Sequence, residues 1–279
     1  MSAGLWETLP SVRDMLAQYG ITPSKKFGQN FLFDRNITDK IVRAASVPVG
    51  THVIEVGPGP GALTRSLLDA GYDVTAFEID RNIFPLLEDM AKKESRFHPV
   101  LQDAMKTDLA AIPAPRAVVA NLPYNVGTNL VIGWLQKIHA DPSFMTSITV
   151  MLQKEVAERF TAQPRTPEYG RASILAQWLC HAEILFEVPK EVFFPQPKVT
   201  SAILRLIPRK ERAYNPPLKL VEDITRDAFN QRRKMIKAGL KNHVGYFEVA
   251  GIDAQLRPEA IPVDLYLKLA ETVSNDKPA

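Results

Sequence analysis

His52-Val53-Ile54-Glu55-Val56-Gly57-Pro58-Gly59-Pro60-Gly61 decides the fold. A short apolar run stops at a loop in which three glycines alternate with two prolines, and helical spacing resumes through Leu68. Strand, glycine turn and helix open an α/β unit, and the pattern then repeats. Val74–Phe77 reads as a second strand ending at Glu78-Ile79-Asp80, followed by a helix with Phe84, Leu87 and Met90 on one side. Phe97–Leu101 is a third strand, ending at Gln102-Asp103-Ala104. Val118–Ala120 is a fourth, ending at Asn121-Leu122-Pro123-Tyr124-Asn125 before the helical segment Gly127–Lys137. Ile148–Leu152 is a fifth, and Lys154–Phe160 begins another helix. Such repetition predicts a parallel sheet covered on both faces, which takes its ligands at the carboxyl ends of its strands. The glycine loop, Glu78, Asp103 and Asn121 all fall there.

On the N-terminal side, Thr8–Tyr19 reads as a short helix opened by Pro10-Ser11 and closed at Gly20. Lys25-Lys26-Phe27-Gly28-Gln29-Asn30-Phe31-Leu32-Phe33 is basic, aromatic and amide-rich. It is either a solvated loop pinned to the core by its phenylalanines, or a lid or phosphate-contacting arm. Asp34 or Asn36 caps a helix through Ala45. On the C-terminal side an apolar helix spans Ala172–Leu179, and Glu183–Val188 and Val199–Leu206 read as strands. The ten residues between those strands are few for a crossover helix, so an antiparallel hairpin is expected. Pro208–Pro217 reads as a linker, and Leu218–Leu240 and Val263–Val273 as helices. The expected domains are therefore residues 1–209, with an N-terminal arm at 1–46, and a small all-helical domain at 210–279.

Composition narrows the class further. Hydrophobic residues make up 46% of the 279, enough for a sizeable core. The net charge of +3 is uninformative, but Arg209–Asn242 holds ten Lys/Arg against four Asp/Glu, so the rest of the chain is slightly acidic. The single cysteine, Cys180, excludes an intrachain disulfide and a cysteine-based metal site, and reads as a buried core thiol. No metal is expected. The N-terminal stretch carries Glu7 and Asp14 and lacks the long apolar core of a secretory signal. With no run of eighteen apolar residues to cross a membrane, a cytoplasmic monomer is expected.

The loop Gly57-x-Gly59-x-Gly61, with the acidic Glu78 a further 21 positions past Gly57, has the form of a dinucleotide or nucleoside site. Glycines allow close approach of the backbone, and an acid accepts hydrogen bonds from ribose hydroxyls. Pro58 and Pro60 remove two backbone donors that would cradle a pyrophosphate, a loss without consequence for S-adenosylmethionine, which has no phosphate. Asp103 at the next strand end would accept from the adenine amine of that cofactor.

At the fourth strand end, Asn121-Leu122-Pro123-Tyr124 is either an ordinary turn after a strand or a site, for it resembles the Asn/Asp-Pro-Pro-Tyr motif of methyltransferases that modify exocyclic amino groups of bases. The lone pair of such an amine is delocalised into the ring. Acceptors at the Asn121 side chain and the Leu122 carbonyl would favour its pyramidalisation and stabilise the positive charge that develops. Pro123 would stiffen the loop. Tyr124 would stack on the base, an interaction worth on the order of 1–3 kcal/mol. Phe193, with Phe194 as second choice, would close the opposite face of an aromatic clamp, or else serve as a core or hairpin-tip residue.

Taken together, the sequence resembles the ribosomal RNA adenine N6-dimethyltransferase family from about Ser24 to Val273. The resemblance rests on Lys26–Leu32, Glu55–Gly61, Glu78–Asp80, Asn121–Asn125, Phe193–Val199 and Ala228-Phe229-Asn230-Gln231-Arg232-Arg233-Lys234; within Phe193–Val199, Gln196 departs mildly from the family pattern. It implies a Rossmann-like class I methyltransferase sheet, parallel strands plus the C-terminal antiparallel hairpin, and a helical RNA-binding domain. Within the family the bacterial small-subunit branch is the most similar. That implies dimethylation of two adjacent adenosines near the 3′ end of 16S ribosomal RNA in a late-assembling small subunit. Carried over by position, Asn30, Leu32, Gly57, Gly59, Glu78, Asp103 and Asn121 are the implied cofactor contacts, which favours the lid for the Asn30 loop.

The basic C-terminal segment points to RNA without that resemblance. On one continuous helix Arg226, Asn230, Arg233, Lys237 and Lys241 would share one face, and Phe229, Ile236 and Leu240 another. Lys25, Lys26, Arg226, Arg232, Arg233, Lys234 and Lys237 are the candidate RNA contacts. Three alternatives stay open: a large-subunit methyltransferase of the antibiotic-resistance type, a DNA amino-methyltransferase, and a ribosome-assembly or transcription-associated binding factor for which methylation is secondary.

Overall fold

The structure, a computed structural model, describes residues 4–24 and 27–276. The chain divides into two compact units. The first takes in the chain through Gly133, then Ser143–Ala157 and Glu183–Ile207; the second takes in Trp134–Pro142, Glu158–Ala182 and everything from Pro208.

The N-terminal arm is two short helices, α1 (Leu5–Thr8) and α2 (Val12–Gln18), where one was expected. Ser11 opens α2 by accepting from the Asp14 N–H. A two-residue strand β1 (Phe31–Leu32) leads to α3 (Arg35–Ala45), whose cap is Asp34, accepting from the Asn36 and Ile37 N–H groups. Then come β2 (His52–Val56), α4 (Ala62–Asp69), β3 (Val74–Glu78), α5 (Phe84–Ala91), β4 (Phe97–Leu101), β5 (Arg116–Asn121), α6 (Gly127–Ala140), β6 (Ile148–Gln153), α7 (Lys154–Thr161), α8 (Arg171–Leu179) and β7 (Cys180–Val188). Strands β8 (Phe193–Phe194) and β9 (Ser201–Pro208) complete the β structure.

Seven strands form one sheet in the order β4-β3-β2-β5-β6-β9-β7. The pairs among β4, β3, β2, β5 and β6 are parallel, and β9 runs antiparallel to β6. The expected hairpin is present. The Arg209 N–H donates to the Leu179 carbonyl at 2.9 Å and the Arg205 guanidinium meets Glu183 at 2.7 Å, both in one antiparallel register of β7 and β9. Central strands β2, β3, β5 and β6 are buried at every position but some of their ends, as expected of a sheet covered on both faces, and burying such apolar runs is the main driving force. The segment between β7 and β9 is more than a hairpin tip. It carries β8, which pairs antiparallel with β1 so that Phe31 faces Phe194 and Leu32 faces Phe193.

In the second unit, α9 (Leu218–Asn230), α10 (Ile236–Gly239), α11 (Phe247–Ala250) and α12 (Val263–Asp276) follow the linker. Phe229 packs against Tyr169 and Tyr266, with ring centroids 6.2 and 6.1 Å apart. Both tyrosine hydroxyls donate to backbone carbonyls, Tyr169 to Ile261 and Tyr266 to Pro258. Cys180 is buried here, and burial pushes its thiol up to about 12, as befits a core residue.

One expectation is corrected. Leu218–Leu240 is not a continuous helix; it breaks at Gln231–Met235. The shared basic face of Arg226, Asn230, Arg233, Lys237 and Lys241 therefore does not exist. The cause is tertiary. The Arg232 guanidinium donates to the Thr166 and Pro167 carbonyls, and the Ile236 N–H donates to the Leu256 carbonyl. Gly239 then lies against α9 so closely that a Cβ there would sit 2.8 Å from the Asp227 carbonyl oxygen. Gly239→Ala is accordingly expected to cost about 1–3 kcal/mol, since backbone on the other side cannot yield cheaply. Chemical denaturation compared with Gly245→Ala, where nothing lies within 4 Å, checks this.

Candidate active site

A cavity of about 220 Å³ opens at the carboxyl edge of the sheet. Its lining contains Asn30, Leu32, Gly57, Gly59, Glu78, Asp103, Asn121, Leu122, Pro123 and Tyr124, drawn from five separate stretches of chain. Parallel pairing brings them together, because strands that run the same way end on the same side. Val56 lies beside Phe77, Glu78 beside Leu101 and Asn121 beside Met151.

The glycine loop adopts a backbone that side chains resist, with φ of +68° at Gly57 and +55° at Gly59. A Cβ at Gly57 would lie 3.4 Å from the Pro123 ring, and one at Gly59 would lie 3.2 Å from the Phe31 ring. Glu78 is buried, and its carboxylate is held by three backbone donors: Ile79 and Asp80 at 2.8 Å and Gly59 at 3.3 Å. Burial raises its pKa, against the pull of those N–H groups. Asp103 spends one oxygen on the Met105 N–H at 3.0 Å, capping a short turn, and a carboxylate has a second to offer.

Asn121 ends β5, and the Leu122 N–H still donates to the Met151 carbonyl at 3.3 Å. The Pro123 carbonyl accepts from Val126 and Gly127, starting α6. Between these anchored points, the Leu122 carbonyl has no donor among the described residues, and neither does the Asn121 side-chain oxygen. Both residues line the cavity. Tyr124 is half-buried, with its hydroxyl 2.7 Å from that of Ser201.

Phe193 does not line the cavity. It is buried in the first unit's core, paired with Leu32, while Phe194 is exposed and stacks on Phe33 at 6.1 Å. The loop that carries Asn30 is tied at Gln29, which accepts from the Ser24 N–H and donates to Asp80 at 2.9 Å. Lys25 and Lys26 lie outside the described residues. Of the other candidate RNA contacts, Arg233, Lys234 and Lys237 are exposed, Arg226 pairs with Asp223 and Asp227, and Arg232 serves the turn described above.

Sequence reasoning passed over Ile79, Met105 and Glu55. Ile79 and Met105 are exposed apolar residues on the cavity wall, suited to cover the faces of a flat heterocycle. An apolar residue set between Glu78 and Asp80 was a signal within reach. Glu55 is fully buried on the wall, accepts from the Thr64 hydroxyl at 2.6 Å and is pushed up to about 8 by burial. Nothing in its strand pattern marks it.

Residues 22–275 match a family model described as ribosomal RNA adenine dimethylase. The chain is 45% identical over 269 residues to the ribosomal RNA small subunit methyltransferase A of Phenylobacterium zucineum, covering 95% of this chain and 93% of the relative. It is also 45% identical over 268 residues to the protein of that name from Zymomonas mobilis, covering 94% and 96%. Among solved structures, a 23S rRNA methyltransferase, ErmE, aligns with a TM-score of 0.68 at 28% identity, over 87% of this chain and 98% of that one. A dimethyladenosine transferase from Plasmodium falciparum aligns with a TM-score of 0.72 at 24% identity, over 86% and 95%, and shares the fold.

Glu55 has a consequence for pH dependence. Folded, it keeps its proton up to about 8; unfolded, it loses it near 4.5. Between those values the native state binds more protons, so stability falls as pH rises, by at most about 1.4 kcal/mol per pH unit. Glu78, also raised, acts with the same sign. The melting temperature without ligand is expected to drop from pH 5 to 8, and Glu55→Gln to flatten that drop.

Proposed function

The chain belongs to the ribosomal RNA adenine dimethylase family, and on that premise we propose that it transfers methyl groups from S-adenosylmethionine to N6 of two adjacent adenosines. These lie in the 3′-terminal hairpin loop of 16S ribosomal RNA, within late-assembling small subunits. The small-subunit target is supported by the names of relatives 45% identical along nearly the whole chain, against 28% for the 23S enzyme. The observation that carries the reading is the pair of open acceptors, Asn121 and the Leu122 carbonyl, beside a glycine-lined nucleoside cavity.

The residues present fit the cofactor. Glu78 would take the ribose hydroxyls and Asp103 the adenine amine, with Ile79 and Met105 against the ring faces. Gly57 and Gly59 provide backbone without side chains, and Asn30 and Leu32 close the cavity from the lid. When bound, the cofactor supplies an electrophilic methyl group on a sulfonium. The protein's own work is positioning. Asn121 and the Leu122 carbonyl accept the two hydrogens of the target amine, turn its lone pair towards the methyl and stabilise the charge that develops on nitrogen. Pro123 keeps that carbonyl in place, and Tyr124 stacks on the base. Loss of the proton after transfer needs no strong base, because the alkylated nitrogen is acidic. Phe193, buried behind Leu32, we assign to supporting the clamp from the core.

We further assign methyl transfer to residues 1–209 and RNA contact to 210–279, with Arg233, Lys234 and Lys237 on phosphates and the loop adenosines unstacked into the cavity. Lys25 and Lys26 would extend the same contact, Arg226 lending its charge from within its ion pairs and Arg232 through the turn it holds. We place the protein in the cytoplasm as a monomer; among the described residues no helix is long and apolar enough to cross a membrane.

Incubation with labelled S-adenosylmethionine and undermethylated small subunits should place label in N6,N6-dimethyladenosine near the 3′ end of the RNA. Asn121→Ala should abolish transfer while leaving particle binding intact; a protein acting chiefly as an assembly factor would keep its function in that variant. Charge reversal at Arg233 and Lys237 should weaken RNA binding and lower the slope of log affinity against log salt by about 1 per lost phosphate contact. An unchanged slope would assign both to the solvated surface.

A further inference from the structure

We propose that Ser201 is a positioning residue for the methyl-acceptor loop, and that its hydrogen bond to Tyr124 governs the second methyl transfer to each adenosine more than the first. This rests on the adenine reading above.

Tyr124 stands in a turn rather than a regular element, so the backbone alone leaves its ring free to rotate. Among the described residues its hydroxyl has one polar partner, Ser201, 77 residues away in sequence, with the two hydroxyls 2.7 Å apart. Ser201 is fully buried and opens β9, where it pairs with Gln153 in the antiparallel register with β6, and its neighbour Thr200 accepts from the Lys154 N–H at 3.0 Å. The hydroxyl is therefore mounted on a buried, paired position of the seven-stranded sheet, and through it the phenol ring is held at one end. A fixed ring offers a preformed face for stacking; a free ring must be ordered each time a base enters.

The chemistry of the amine separates the two transfers. Unmodified adenine has two N–H bonds, one for Asn121 and one for the Leu122 carbonyl. After the first methyl one N–H is left, so one of those two hydrogen bonds is gone. The ring face must then hold the base against a larger share of the remaining freedom. Loosening Tyr124 costs little while both hydrogen bonds act and more when only one does.

The test is time-resolved analysis of nucleosides from undermethylated small subunits treated with S-adenosylmethionine and Ser201→Ala, Ser201→Thr or Tyr124→Phe protein. Ser201→Ala and Tyr124→Phe should each slow the second transfer about threefold to tenfold, the worth of one hydrogen bond. The first should be slowed less, so N6-monomethyladenosine accumulates. Ser201→Thr should restore the wild-type product ratio. Combining Ser201→Ala with Tyr124→Phe should add nothing beyond either alone. Cofactor binding by calorimetry should be unchanged. A monomethyl-to-dimethyl ratio equal to wild type, or both steps slowed alike, would overturn the proposal. Should Ser201→Ala fail to fold, Tyr124→Phe decides by the same ratio. If wild-type protein itself forms no dimethyladenosine, the functional reading fails; if only the ratio is insensitive, the role of Ser201 fails.

Discussion

Parallel pairing of β2, β3, β5 and β6 is the constraint from which the site follows. In register, Val56 meets Phe77 and Asn121 meets Met151, so the last residues of these strands share one edge. There each strand leaves the sheet and its backbone groups lose their ladder partners. A sheet edge of this kind is rich in unsatisfied polar groups by construction, and each loop settles them differently. Glu78 collects three N–H groups, while the Leu122 carbonyl and the Asn121 side-chain oxygen accept no hydrogen bond among the described residues.

The asymmetry between those two strand ends fits the division of labour proposed for them. The acidic end of β3 is preorganised by its own backbone and buried, which suits a ligand with neutral hydroxyls to donate. The end of β5 offers acceptors without charge. A carboxylate at position 121 would stabilise a fully formed ammonium strongly but would cost more to desolvate beside Glu55 and Glu78, both already pushed towards neutrality by burial. An amide accepts without adding to that burden.

Supporting contacts come from far along the chain. Ser201 reaches Tyr124 from β9, Phe31 covers Gly59 from β1, and β8 pairs with β1 in a small two-stranded sheet. Each of these joins segments separated by tens to more than a hundred residues. They join the segment before α3 and the Asn121–Tyr124 turn to parts of the chain distant in sequence.

Local pattern determined a good deal by itself. The strand–glycine–helix unit at His52–Leu68, the acids at strand ends and the Asn121–Tyr124 turn were legible because their signals lie close together in sequence. The parallel sheet then forced them to one edge. Tertiary structure decided what local pattern could not carry. Leu218–Leu240 has helical spacing throughout, yet Arg232 binds the carbonyls of Thr166 and Pro167 and the helix breaks, since several specific hydrogen bonds outweigh a weak propensity. Phe193 carries the same motif as Phe194, but pairing with β1 buries one and exposes the other, because adjacent residues of a strand face opposite ways. Glu55 owes its raised pKa to neighbours that surround it only after folding. Periodicity and residue type fix what a segment is suited to; which partners satisfy its polar groups is settled by contacts distant in sequence.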